Sequence, residues 1–124
     1  MLCLGTATAK VVLVTAGFTL SWMHSVEKIT WQEHYRLDNQ GLLLTEARVQ
    51  GSGAGMEPPP EARLQDGAWY WQPNIRLPQV VLADSEFTAD YTLCLDSGLC
   101  RPLSHWLPAG QGVTLSACTH TEVN

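Results

Sequence analysis

Apolar and polar residues alternate with period two along much of the chain. Phe18, Leu20 and Trp22 alternate with Thr19, Ser21 and Met23, and Ile29, Trp31, Tyr35 and Leu37 alternate with Thr30, Gln32, His34 and Arg36. Successive side chains of a strand point to opposite faces, so the pattern predicts strands buried on one side only. No segment sustains the 3.6-residue period of an amphipathic helix. The stretch Ser25-Val26-Glu27-Lys28 is short enough to close a hairpin, Asp38-Asn39-Gln40-Gly41 marks a second turn, and residues 42–50 read as a third strand. Residues 17–50 are therefore expected to form a three-stranded meander.

Gly51-Ser52-Gly53-Ala54-Gly55 and the prolines at 58–60 then interrupt the pattern, and prolines cannot sit in a central strand. Beyond them, Asp66-Gly67 has the composition of a tight hairpin turn between strands at 62–65 and 68–72. Further strands are expected at 79–83, 86–96 and 112–119. Short strands at such spacing are the signature of a sandwich or small barrel. The expected fold is all-β: one antiparallel β-sandwich or partly open barrel of about eight short strands, with residues 1–124 forming a single domain.

Composition narrows the class. Only 15% of the 124 residues are charged while 45% are hydrophobic, which argues against a disordered or solvating chain. Twelve acidic residues against seven basic give a net charge of −5, and no basic stripe is present, so nucleic-acid binding is not expected. Residues 10–14 form too short an apolar run for an export signal, and no run approaches the roughly 18 residues of a membrane span. The expectation is a mature exported chain whose signal has been removed.

The four cysteines, at 3, 94, 100 and 118, contain no C-x-x-C pair, and no histidine lies at zinc-finger spacing from them. An even count in a small, lightly charged chain points to an oxidising compartment. Alternation puts Cys94 on the face opposite Leu93 and Leu95, with Asp96-Ser97-Gly98 as a turn before Cys100. Strands closing such a hairpin bring Cα atoms to about 4.5–5.5 Å, within disulfide range. Cys3 and Cys118 likewise fall opposite their apolar neighbours. The predicted bridges are Cys94–Cys100 and Cys3–Cys118, the second joining the first strand to the last.

The densest polar group on an apolar hairpin is His24-Ser25-Val26-Glu27 followed by Glu33-His34. Counting by two puts His24 on the face of Leu20 and Trp22, and Glu33 on the face of Trp31 and Tyr35, so the two are expected within a residue or two of each other. Three readings follow: a buried structural pair, a ligand- or partner-binding site, and a metal or catalytic site. The last has no evident third ligand. Ser25 faces away from His24, and no Gly-x-Ser-x-Gly elbow is present, which disfavours a hydrolase. The Gly51–Gly55 run reads either as a strand exit or as a recognition loop. Trp69 and Trp71 share a face that is either core or a sugar platform.

At Trp22-Met23-His24-Ser25-Val26-Glu27-Lys28, with Glu33 and Tyr35 downstream and Gly53-Ala54-Gly55 after the next strand, the chain resembles a bacterial family catalogued as a domain of unknown function, number eighteen-fifty. His24, Ser25, Glu33, Gly53 and Gly55 match that family's pattern. Its members are small exported proteins, often encoded beside TRAP-type transporters of the TAXI class. The resemblance implies association with such a transport system, and the expected function is a periplasmic accessory protein that binds the membrane permease or the solute-binding protein, with those five residues forming one surface. With no assembled catalytic set and no third metal ligand evident, it is expected to be non-enzymatic and to use no cofactor or metal. The cysteines are not part of the family's pattern, so their pairing rests on this sequence alone. The alternative is a periplasmic small-molecule- or metal-binding β-domain using His24 and Glu33, with His34 as a further candidate.

Overall fold

The computed structural model of the chain describes residues 1–23, 29–50, 59–82, 91–108 and 110–118. In chain order its strands are β1 (Leu2–Gly5), β2 (Lys10–Leu13), β3 (Gly17–Met23), β4 (Thr30–Asp38), β5 (Gly41–Gln50), β6 (Arg63–Gln65), β7 (Ala68–Trp71), β8 (Ile75–Leu77), β9 (Gln79–Leu82), β10 (Thr92–Leu95), β11 (Cys100–Pro102) and β12 (Val113–Ala117). They form two antiparallel sheets, a smaller one in the order β2-β1-β12-β9 and a larger one in the order β11-β10-β3-β4-β5-β7-β6, with β8 also paired to β5. The sheets do not close into a barrel, so of the two expected architectures the sandwich is the one adopted.

The core is the space between the sheets. The smaller sheet contributes Leu2, Leu4, Val113 and Leu115, and the larger contributes Phe18, Leu20, Tyr35, Leu42, Leu44, Leu93 and Leu95. Each set follows the two-residue period of its strand, the physical origin of the alternation seen in the sequence. Leu103 and Leu107, in and just after a one-turn 3-10 helix at Leu103–His105, add to the same core.

The meander over residues 17–50 is present as β3, β4 and β5. The Asp66-Gly67 hairpin is also present: both residues have positive φ, 52° and 79°, the twist that a two-residue turn between right-handed strands requires. Twelve strands among the described residues exceed the expected eight. Short pieces such as β2, β8 and β11 are too brief to show a period, and they form because a neighbouring strand offers a ladder to join. The strand expected over 86–96 is seen from Thr92 to Leu95; residues 83–90, and the turn expected at 25–28, lie outside the described residues.

One irregularity sets the register of the large sheet. On β5, Leu42 and Leu44 face the core, yet so do Ala47 and Val49, which strict alternation forbids. A β-bulge resolves the conflict: His34 pairs with Glu46 and Tyr35 with Leu44, leaving Thr45 as the extra residue. Without it, Glu46 and Arg48 would be driven into the core. The Thr45 hydroxyl donates to the His34 carbonyl at 3.1 Å, fastening the bulge to β4.

Both predicted disulfides are present. Cys3 and Cys118, with Cα atoms 5.9 Å apart, tie β1 to the end of β12 on the outer face of the smaller sheet. Cys94 and Cys100, 4.0 Å apart, are direct cross-strand partners in β10 and β11. Their sequence separations are 115 and 6 residues. Chain entropy then assigns about 4–5 kcal/mol to the first bridge and about 2 kcal/mol to the second. Urea denaturation of the Cys3→Ala/Cys118→Ala and Cys94→Ala/Cys100→Ala double variants is expected to show the larger loss for the first pair.

Candidate functional site

On the inner face of the large sheet, cross-strand pairing lays side chains in rows. One row runs Leu93, Leu20, Glu33, Ala47, Trp71 from β10 to β7. The next, nearer the strand ends, runs Trp22, Trp31, Val49, Trp69. Four of the chain's five tryptophans thus share two rows of one sheet face with a single carboxylate, and Glu33 is the only charged residue in either row. Leu20 and Ala47 flank it and offer no polar group. Trp22 and Trp31 stack at 6.1 Å with ring planes 10° apart, and Tyr91 leans on Trp22 at 5.3 Å.

Glu33 has a partner on its own strand. Tyr35, two residues on and only 2% exposed, stacks its ring on Phe18 at 5.1 Å and donates its hydroxyl to Glu33 Oε1 at 3.1 Å. Partial burial raises the Glu33 pKa above the ordinary glutamate value, and the Tyr35 hydrogen bond offsets part of that rise. The Tyr35 phenol is held protonated by burial and by the carboxylate beside it. Burial, then the Glu33 charge, also raises the Tyr91 phenol.

The opposite face of the same strands is polar and differently organised. The His34 ring lies within hydrogen-bond reach of the Thr45 hydroxyl at 2.9 Å (Nδ1) and of Asp96 Oδ1 at 3.2 Å (Nε2), linking the bulge to the β10–β11 turn. A Cβ on Gly17 would lie 2.6 Å from Asp96 Oδ2 of that turn and 2.8 Å from the Tyr35 carbonyl of β4, which is why glycine stands there. Arg48 Nη1 donates to Gln32 at 2.8 Å, and the guanidinium lies over the Tyr70 ring at 5.3 Å. Thr19, Gln32, His34, Glu46, Arg48 and Tyr70 line a shallow groove of about 250 Å³ here.

This geometry separates the two candidates on β4. Glu33 faces the aromatic rows and His34 the polar groove, so His34 does not join Glu33 at one site. The nearest β3 residue to Glu33 is Leu20, its direct pairing partner. His24, expected beside Glu33, and Ser25, Gly53 and Gly55, expected on the same surface, lie outside the described residues. The strands that precede them end at Met23 and Gln50, which flank β4 at the same end of the sheet. Among the described residues no three His, Cys, Asp or Glu side chains converge as a metal site. Sequence reading missed Tyr35 as the carboxylate's donor and Tyr91 as part of the aromatic group. Shared alternation with Glu33 signals the first, whereas the second depends on how β10 pairs with β3.

Residues 18–103 match the model of a family described as a domain of unknown function (DUF1850). The chain belongs to this family. The matched region holds Glu33, Tyr35, Tyr91, the four tryptophans of the inner face and the Cys94–Cys100 bridge. It excludes β1, β2 and β12, and with them both ends of the Cys3–Cys118 bridge. No curated protein and no solved structure matches the chain.

A carboxyl whose pKa rises on folding makes the native state bind more protons than the unfolded state just above the ordinary glutamate range, so its ionisation there costs stability as pH rises. Glu33→Gln keeps an acceptor for Tyr35 and removes this cost. Thermal unfolding followed across pH is expected to show Glu33→Gln more stable than wild type at neutral pH, with the advantage shrinking as pH falls to where Glu33 is protonated in both states.

Proposed function

We propose that this chain is a periplasmic, non-enzymatic accessory protein of a TRAP-type solute transport system of the TAXI class, and that it binds the membrane permease or the solute-binding protein. The observation that carries the reading is the Glu33 end of the large sheet. A carboxylate kept half-buried among tryptophans costs stability, and such a cost is ordinarily met at sites that bind something. Membership of the family supports the transport context through the resemblance at His24-Ser25-Val26, Glu33 and Gly53-Ala54-Gly55. Two disulfides fit an oxidising compartment. Among the described residues no helix is long and apolar enough to cross a membrane.

A second reading, a small-molecule- or metal-binding β-domain using His24 and Glu33, is favoured by the aromatic surroundings of the carboxylate, since ligand sites combine apolar walls with few polar groups. Elemental analysis and native mass spectrometry of protein purified without chelator test it directly, through a retained ion or solute.

Co-expression with a TAXI-class permease and its solute-binding protein tests the first reading. The wild-type chain is expected to co-purify with the permease or the solute-binding protein, and His24→Ala, Glu33→Gln or Gly55→Trp to reduce recovery several-fold while leaving the fold intact by circular dichroism. Normal recovery with all three folded variants removes the site assignment, and failure of the wild type to retain either component removes the accessory role.

A further inference from the structure

The inner-face rows carry a chemical preference that goes further than a general binding surface. Trp22 and Trp31 present a stacked pair of indoles, Tyr91 leans against the pair, and Glu33 follows Trp31 by two residues on the same face of β4. Side chains two residues apart on a strand are separated by about 6.5 Å, so the carboxylate stands within one ligand's reach of the indoles. All four residues are partly exposed. Aromatic faces carry negative potential and a carboxylate carries a full negative charge, so every group on this patch attracts a cation and none repels one.

The surroundings also select the kind of cation. A metal ion asks for several oxygen, nitrogen or sulfur ligands at once, and here one carboxylate stands among rings, with no convergent set of three metal-binding side chains among the described residues. A substituted ammonium group is less strongly hydrated than a metal ion, carries carbon that packs on indole, and needs a single counter-charge. Glu33 already accepts one hydrogen bond from Tyr35 at Oε1, which orients the carboxylate without neutralising it. Leu20 and Ala47 on either side supply no competing charge.

Resting on the reading of the Glu33 end as a binding surface, we propose that Trp22, Trp31, Tyr91 and Glu33 form a recognition site for the substituted ammonium group of a small organic solute. The indoles and the phenol make cation–π contact and the carboxylate supplies the counter-charge.

The site carries its own reporter. Titrating the intact chain with tetramethylammonium or n-butylammonium chloride, against sodium chloride at equal ionic strength, is expected to give a saturable change in tryptophan emission that sodium does not reproduce. Glu33→Gln is expected to weaken binding roughly tenfold, the loss of one charge-assisted contact. Trp31→Phe, which keeps an aromatic ring in the row, is expected to weaken it less while reducing the amplitude. Absence of a saturable change with both amines, or undiminished binding by folded Glu33→Gln, overturns the proposal. If amines fail to bind while Glu33→Gln still reduces co-purification with the transporter, the cation site alone falls and the partner surface stands.

Discussion

The single extra residue in β5 is the constraint on which the large sheet depends. Leu42 and Leu44 must be buried, and so must Ala47 and Val49, but an odd spacing between the two pairs puts them on opposite faces of a regular strand. The bulge at Thr45 adds the half-period that brings all four inward, and the Thr45 hydroxyl holds it by bonding the His34 carbonyl. Everything further along the strand inherits this correction. Glu46 and Arg48 reach the polar face, Trp69 and Trp71 of β7 come to the inner face, and Ala47 comes opposite Glu33.

The same register creates the electrostatic peculiarity of the molecule. On β4, odd-numbered side chains from Trp31 to Leu37 point inward, and Glu33 is among them. Its burial penalises the charged form, and a single phenolic hydrogen bond compensates only in part. On the opposite face, His34 reaches Thr45 and Asp96, and Arg48 donates to Gln32 through Nη1 while its buried Nε has no hydrogen-bond partner. The outer face thus carries several polar groups bonded to one another, whereas in the inner-face rows Glu33 is the one charged residue, held by a single hydrogen bond from Tyr35.

The two halves of the sandwich are braced differently. Cys94–Cys100 reinforces a hairpin that already closes locally, while Cys3–Cys118 joins strands from the two ends of the chain and holds the centre of the smaller sheet together. The family match covers most of the large sheet and stops before β12. The strands that carry the candidate site thus belong to the region shared with the family, and the strands β1, β2 and β12 that cover its core lie outside that region.

Strand identity, the β3–β4–β5 meander, the Asp66-Gly67 hairpin and both disulfides were legible from alternation and turn chemistry, because each depends on residues close in sequence or on a face set by period two. The position of Glu33 on the face of Trp31 and Tyr35 was legible for the same reason. Its neighbours were not. That Leu20 stands opposite it, that Trp71 ends its row and that Tyr91 closes on Trp22 follow from how separate strands pair, and no local pattern specifies that. The short strands β2, β8 and β11 were hidden likewise, since three or four residues carry too little period to read and become strands only when a longer neighbour offers its hydrogen-bonding edge. Local sequence determined which way each side chain faces, and tertiary pairing decided what it faces.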